Sequence, residues 1–504
     1  MTAPRPAPVL MVQGTSSSVG KSLLVTGLCR LFADAGVRVA PFKAQNMSNN
    51  AAVTDTGGEI GRAQWVQARA ARVRPRVEMN PVLLKPESDH RSQVILLGRP
   101  LATLDYRDYR RRREETWPAI TAALDTLRAE HDLVIIEGAG SPAETNLRDR
   151  DVVNMAIALY ANAPVLLAGD IDRGGVFAHL YGTWALVAPE EQALIRGFIL
   201  NKFRGDASLL TPAIEDLQRL TGIPTAGIVP WFPRHEIPEE DAVALEARPS
   251  DRTTAWPGID VAVLRFPRIA NFDDLDPLSA EPDVRVRWVE SPAEWGDPDL
   301  VILPGTKSTI ADLDWLRAQG LEAALRSSVE RGAAVLGLCG GYQMLGASLA
   351  DPSRVEGDRE RAGGLGLLPV TTVFAAGKRT AQSRATVTGS RGLLEGARGI
   401  EVTGYEIHAG QTLVAVPAVT LPDGTAVGAA DDAGWVVGCY LHGLLHNTNL
   451  RRVLLANVAR RRRREYTPVP PPDDEAAFDR LAEALRASLD LRLLTELTGV
   501  ALYI

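Results

Sequence analysis

Two stretches of the sequence place residues in an order suited to making and breaking bonds. In LGLCGGYQMLG, residues 336–346, Cys339 stands between an apolar run and a glycine pair that opens a helical pattern. A nucleophile on a sharp strand-to-helix turn is held out where it can attack, and small neighbours permit that turn. The helix N-terminus favours a thiolate, and the Gly340 N–H is a candidate oxyanion donor. A second donor is expected from Gly305 in LPGTKST, a loop that follows the apolar run DLVI. The other account of Cys339, a buried core thiol, leaves two helix-opening glycines without a purpose. Thiol chemistry also needs a base. Of seven histidines, His442 in GWVVGCYLHGLLHN follows a strand pattern, with His446 and His408 as competitors. Cys29 and Cys439 lie inside apolar helix and strand patterns and read as core thiols.

The second stretch is GTSSSVGKS, Gly14–Ser22, between an apolar strand and a helical segment. A glycine-rich turn there aims backbone N–H groups at phosphate oxygens, and the helix dipole favours the same charge. Gly14, Thr15, Ser18, Val19, Gly20, Lys21 and Ser22 are the expected ATP-binding residues, with Lys21 reaching the phosphates and the Ser22 hydroxyl on Mg2+. Five residues separate Gly14 from Gly20, one more than in the standard phosphate loop. Glu137 ends the apolar run VIIE, where a carboxylate can hold Mg2+. Lys43, after another strand pattern, is a candidate for neutralising a transferring phosphate. Asn201 in NKFRGD is a candidate for reading adenine.

These residues need a scaffold, and the sequence supplies two. Short apolar runs alternate with amphipathic stretches through VLMVQG, LVIIEGAG, APVLLAGD, IRGFILNK and PTAGIVP, the pattern of a parallel sheet wrapped by helices. The pattern stops in a stretch rich in proline and charge and resumes at IDVAVLRF, DLVILPG and AAVLGLC, turning β-rich between about 370 and 440. The expected division is an ATP-binding domain at 1–232, a linker at 233–257, a second α/β domain at 258–464, and a helical tail at 465–504 that packs back on one of them.

Composition limits the function classes. The chain has 504 residues, 45% of them apolar, enough for sizeable cores. A net charge of −7 argues against a nucleic-acid-binding or membrane-surface protein. The runs Arg110–Arg113 and Arg460–Arg464 read as solvated helix faces. Three cysteines do not make a disulfide framework and point to a reducing compartment. No run approaches the ~18 apolar residues of a membrane span, so a soluble, cytoplasmic protein is expected.

Taken together, the motifs resemble the cobyric acid synthase family, the glutamine-hydrolysing amidases of the cobalamin pathway, over nearly the whole chain. GTSSSVGKS, PFKAQNMSNN, GGEIGRAQ, NPVLLKP, VIIEGAGSPAETNL, DIDRGGVFA and NKFRGD are similar to its synthetase domain. LPGTKST, GLCGGYQMLG, GYEIHAGQT and YLHG are similar to its glutaminase domain. The resemblance implies a dethiobiotin synthetase-like P-loop domain followed by a class I glutamine amidotransferase-like α/β domain. It implies a carbon–nitrogen ligase that amidates the b, d, e and g carboxylates of a corrinoid, adenosylcobyrinic acid a,c-diamide, using L-glutamine, ATP and Mg2+. It makes Cys339 the nucleophile and His442 its base. It supplies no third member of a triad, because Leu444 fills the slot usually held by a glutamate. It also suggests Glu59 as a second Mg2+ carboxylate, and Arg62, Arg148 and Arg173 as holders of the corrinoid carboxylates. Two positions depart from the family, Ala409 and Gln411, and Ser16 replaces the signature lysine of partitioning ATPases. The alternatives are cobyrinic acid a,c-diamide synthase or another ATP-dependent amidotransferase and, outside enzymes, a regulatory P-loop ATPase with an inactive glutaminase-like module. The oligomeric state is not expressed in any motif.

Overall fold

The computed structural model describes residues 6–105, 109–232, 237, 256–357, 359–471 and 473–502. The expected linker 233–257 therefore lies almost wholly outside the described residues. The first half is built on a six-stranded parallel sheet in the order Thr225–Pro230, Ile195–Phe203, Val165–Asp170, Val9–Gly14, Leu133–Glu137, Val39–Phe42. Its central strands VLMVQG, LVIIE and VLLAGD are buried at every residue. Helices covering both faces of a parallel sheet require such unbroken apolar runs.

A smaller sheet stands beside it that the apolar-run pattern did not disclose. It has four strands in the order Gln45–Met47, Val82–Pro86, Arg91–Leu96, Arg99–Asp105. Its strands mix polar and apolar residues, RSQVIL for example, because each separates two different environments.

The second half has an eleven-stranded sheet whose parallel portion runs Val284–Val289, Ile259–Leu264, Leu300–Leu303, Ala334–Leu338, Val436–Cys439. It continues into antiparallel strands, of which Val370–Val387 and Glu401–Val414 are the longest. These account for the β-rich pattern read between 370 and 440.

The tail returns to the first half. Helix Asp474–Ser488 lays Phe478, Leu481 and Leu485 against Leu24 and Leu28 of helix Lys21–Asp34. A Cβ on Gly27 would lie 2.5 Å from Leu485 Cδ1, so the two helices touch closely. Arg30 clamps the contact through Glu475 and Asp479.

Of the first arginine run, Arg110–Arg112 have side chains outside the described residues, and Arg113 donates to the Asp149 carbonyl at 2.8 Å. The run at 460–464 is not simply a solvated face. Arg462 and Arg464 converge on the fully buried Asp299, and Arg461 lies 4.0 Å over the Trp435 ring. A buried carboxylate needs such partners, and helical periodicity carries no trace of them. Among the described residues no helix is long and apolar enough to cross a membrane.

Candidate functional site

The phosphate-loop segment sits where the strand Val9–Gly14 ends. The Thr15 N–H donates to the Ala168 carbonyl at 2.9 Å, tying the loop to the neighbouring strand. Ser18 and Gly20 both have positive φ, +60° and +97°. At Gly20 a Cβ would also fall 2.3 Å from Asn201 Nδ2, so only glycine fits. Lys21 Nζ donates to the carbonyls of Ser16 at 3.0 Å and Gly140 at 3.1 Å, which folds it back over the loop.

Glu137 gathers the remaining groups. Ser22 Oγ donates to its Oε1 at 2.8 Å, Lys43 Nζ lies 2.7 Å from the same oxygen, and Gln67 Nε2 lies 2.5 Å from Oε2. Burial raises this carboxyl; the Lys43 charge together with the hydrogen bonds from Lys43, Gln67 and Ser22 outweighs it and holds the group below its ordinary range. Lys43 therefore faces Glu137. Ser18, Gly20, Lys21, Ser22, Lys43, Glu137 and Asn201 line one cavity of about 1110 Å³, with Gly14, Thr15 and Val19 supporting the loop behind it. Arg148 and Arg173 line it too.

Asn201 keeps its place in the cavity wall, and the expectations for Glu59 and Arg62 are corrected here. Asn201 spends an amide hydrogen on the Val19 carbonyl at 2.7 Å, so it braces the loop and keeps only part of its hydrogen-bonding capacity for a base. Glu59 is not beside Glu137. It is fully buried and ion-paired to Lys85 at 3.0 Å and Lys378 at 2.5 Å, and the two lysines hold its carboxyl at about 2 against the effect of burial. Neutralised twice over, it has no charge left for a metal. Arg62 does not open on the cavity but is buried against Asp273.

In the second half, Cys339 sits at the junction of strand Ala334–Leu338 and helix Gly340–Leu345 with φ +48° and ψ −107°. For a non-glycine residue this is a strained backbone, costing on the order of 1–3 kcal/mol, of the kind that gathers at active sites. Hydrogen bonds from Cys339 N to Cys439 O at 2.9 Å and from Gln343 N to Cys339 O at 3.1 Å hold it there. The glycine pair is needed because a Cβ on Gly341 would lie 2.0 Å from the Leu303 carbonyl oxygen. Gly340 packs against Thr306, and Gly305 faces His442 Cε1. The Thr306 hydroxyl is held by Asp312, whose carboxyl burial pushes up to about 7.

His442 lines the same small cavity as Cys339, whose thiol donates to the Ile407 carbonyl at 3.5 Å. On its other side, His442 Nδ1 donates to Asp274 Oδ2 at 2.7 Å. Burial would lower the imidazole; the charge of Asp274, then that of Cys339, outweighs it and lifts the group to about 10. Tyr405 stacks on the ring at 5.3 Å, and the Gly443 N–H donates to Asp274 Oδ1 at 2.7 Å. Of the competitors, His408 is tied to Glu406 at 3.1 Å and stacked on Tyr440, and burial with the Arg62 charge pushes the His446 imidazole down. Cys29 and Cys439 are fully buried, and burial pushes both thiols up, Cys439 to about 12.

Asp274 is the residue that sequence reasoning missed. It lies on the short turn Phe272–Leu275, 168 positions before His442. The only hint was an acidic run, NFDDLD, in apolar surroundings just after a strand. No spacing rule links that run to a particular histidine.

Cys339, His442, Gly305 and Thr306 line a smaller cavity of about 100 Å³, closed by Lys85 and Gln93 of the first half. The four-stranded sheet is the wall between the two cavities. Leu84, Pro86, Ser92 and Val94 face the phosphate-loop side, while Lys85 and Gln93, on the alternate positions, face the sulfur side.

Residues 10–243 match the CobQ/CobB/MinD/ParA nucleotide binding domain, and residues 260–450 match the CobB/CobQ-like glutamine amidotransferase domain. The chain is 52% identical to a cobyric acid synthase of Sorangium cellulosum, over 97% of this chain and 98% of that one. It is 52% identical to one from Polaromonas naphthalenivorans (88% and 92% covered) and 48% identical to one from Dehalococcoides mccartyi (96% and 97%). With both domains matched and similarity running end to end, the chain belongs to the cobyric acid synthase family of glutamine amidotransferases.

Proposed function

We propose that this protein amidates the b, d, e and g carboxylates of adenosylcobyrinic acid a,c-diamide to give adenosylcobyric acid, consuming one glutamine and one ATP per amide. The supporting observation is the line Cys339–His442–Asp274 one sheet-thickness from a phosphate-loop cavity. A carboxylate does not react with ammonia at neutral pH, because oxide is a poor leaving group. ATP transfers its γ-phosphoryl group to the carboxylate, and the loop N–H groups and Lys21 stabilise the charge in transit. Ser22 and Glu137 present the hard oxygen donors that suit Mg2+, which would neutralise phosphate charge there. Arg148 and Arg173 at the cavity rim fit the carboxylates of the corrinoid.

In the smaller cavity, Cys339 Sγ attacks the side-chain amide carbon of glutamine. His442 delivers its proton to the departing nitrogen, leaving a γ-glutamyl thioester and ammonia. The N–H groups at Gly340 and Gly305 stabilise the oxyanion. Asp274 fixes the imidazole orientation, the role left open by Leu444. Water then hydrolyses the thioester to glutamate. Ammonia crosses the sheet wall to the acyl phosphate and displaces phosphate. Three free thiols and ATP as co-substrate fit a reducing cytoplasm.

Mass spectrometry of the a,c-diamide after incubation with glutamine and ATP tests the assignment by counting new amides. Amidation of the unamidated acid instead would favour the a,c-diamide synthase. Cys339→Ala is expected to stop glutamine-dependent amidation and spare that with ammonium salt. Loss of both would count against a separable glutaminase.

A further inference from the structure

Helix Arg62–Ala70 touches both sites. Its first residue, Arg62, meets Asp273 through Nη2 at 3.0 Å, with both side chains buried at the junction of the two halves. Asp273 immediately precedes Asp274, the carboxylate on His442. Further along the same helix, Gln64 and Gln67 donate to Glu137 Oε2 at 3.4 and 2.5 Å. The turn Phe272–Leu275 is attached to the first half by two more bonds, Phe272 N to Asn50 Oδ1 at 3.2 Å and Asn271 Nδ2 to Ala51 O at 2.9 Å. The aspartate that orients the histidine is thus held in part by the opposite domain.

The Arg62–Asp273 pair is an unusual way to join two domains. Neither Arg62 Nε nor either Asp273 carboxylate oxygen has a hydrogen-bond partner among the described residues, and the guanidinium otherwise rests over the Trp65 ring at 4.4 Å. Desolvating two charges without hydrogen bonds is costly, and apolar side chains would join the halves more cheaply. A buried pair kept on such terms is explained by what it positions.

We propose that Arg62 is a positioning residue for the glutaminase. From the ATP-binding domain it holds the turn that aims Asp274 at His442, and its helix ties glutamine cleavage to the state of Glu137. When the phosphate-loop site fills and Glu137 takes up a new partner, Gln64 and Gln67 are released and the helix carrying Arg62 is free to reset the turn. The inference rests on the reading of Cys339 and His442 as a glutaminase.

The test uses full-length Arg62→Gln and Arg62→Lys, reading glutamate release with and without ATP plus the a,c-diamide, and amidation from ammonium salt. Arg62→Gln is expected to lower glutamate release about ten-fold or more and to erase its stimulation by ATP and acceptor, within the usual range of coupling between sites. Ammonium-dependent amidation stays close to wild type, and Arg62→Lys restores part of the loss. Asp273→Asn, made from the other domain, carries the same test if Arg62→Gln does not fold. Unchanged glutamate release, or equal loss with both nitrogen sources, overturns the proposal. Cys339→Ala run in parallel separates the two ideas: if it still releases glutamate, the glutaminase reading itself falls.

Discussion

Asp274→Asn is the sharpest perturbation of the sulfur site, because it keeps the side-chain volume and removes only a charge. In the native protein His442 is lifted from 6.5 to about 10 against the effect of burial, with Asp274 the leading cause among the groups that raise it. At ~1.36 kcal/mol per pKa unit, the net lift corresponds to on the order of 5 kcal/mol favouring the charged imidazole. Assigning about half of that to Asp274 gives ~2–3 kcal/mol, or roughly a 30- to 150-fold loss in glutamate release. An asparagine can also present its NH2 to Nδ1 and select the wrong tautomer, which in the serine-protease triad costs up to ~10⁴-fold. The loss should therefore lie between these limits. The pH profile moves with it. A histidine raised by its partner keeps its proton up to the raised value, so the native alkaline limb falls near 10. Without the carboxylate, burial and the lost charge both pull the limb down toward 6.5 or below. The assay is glutamate release across that pH range, with ammonium-dependent amidation as the control for folding. A wild-type rate with an unmoved alkaline limb would refute the role given to Asp274.

Lys21→Ala should stop amidation from glutamine and from ammonium alike, measured as ATP-dependent amide formation, since both routes need the acyl phosphate. Glu59→Gln leaves Lys85 and Lys378 buried without their carboxylate and should cost ~3–5 kcal/mol in unfolding experiments. Its Mg2+ titration should match wild type, and a shifted Mg2+ dependence would return Glu59 to the metal site. Asp312 has a folded value raised from 3.8 to about 7, so its contribution becomes unfavourable as pH rises through that window. Asp312→Asn should gain on wild type by on the order of 4 kcal/mol between acid and mildly alkaline pH in denaturant unfolding. Gly341→Ala should prevent folding of the glutaminase half, because its Cβ would lie 2.0 Å from the Leu303 carbonyl oxygen; near-UV circular dichroism would show it.

The legible part of this protein was the part written in consecutive residues. LVIIE and VLLAGD read as buried strands because each residue of a central parallel strand meets a helix, and they are buried throughout. GTSSSVGKS announced a phosphate loop because backbone N–H groups can converge only over a short span with glycines at the bends. The Cys339 turn announced itself for the same reason: the close approach of Leu303 demands the glycine beside it. The four-stranded sheet was not legible, because its strands separate two cavities and so alternate against no single core.

Side chains that meet across the fold escaped in the same way. Glu59 follows a motif of the ATP-binding half, yet its partner Lys378 comes from the other domain, and that contact decides that it holds lysines rather than a metal. Arg62 looked like a free cation for an acidic substrate until docking buried it on Asp273. Asn201 lies near the end of strand Ile195–Phe203, and the loop it faces takes one of its donors.

The sequence by itself carried the two α/β patterns, the phosphate-loop segment and Cys339 on its glycine-rich turn, since each depends on local sterics over a short span, while His442 stood among three candidate bases. Only tertiary structure decided that Asp274 orients His442 and that two arrays of polar groups lie on opposite faces of one thin sheet. Charge acts through space with no regard for chain separation, so a carboxylate 168 residues away can set the proton affinity of a histidine that its own neighbours leave bare.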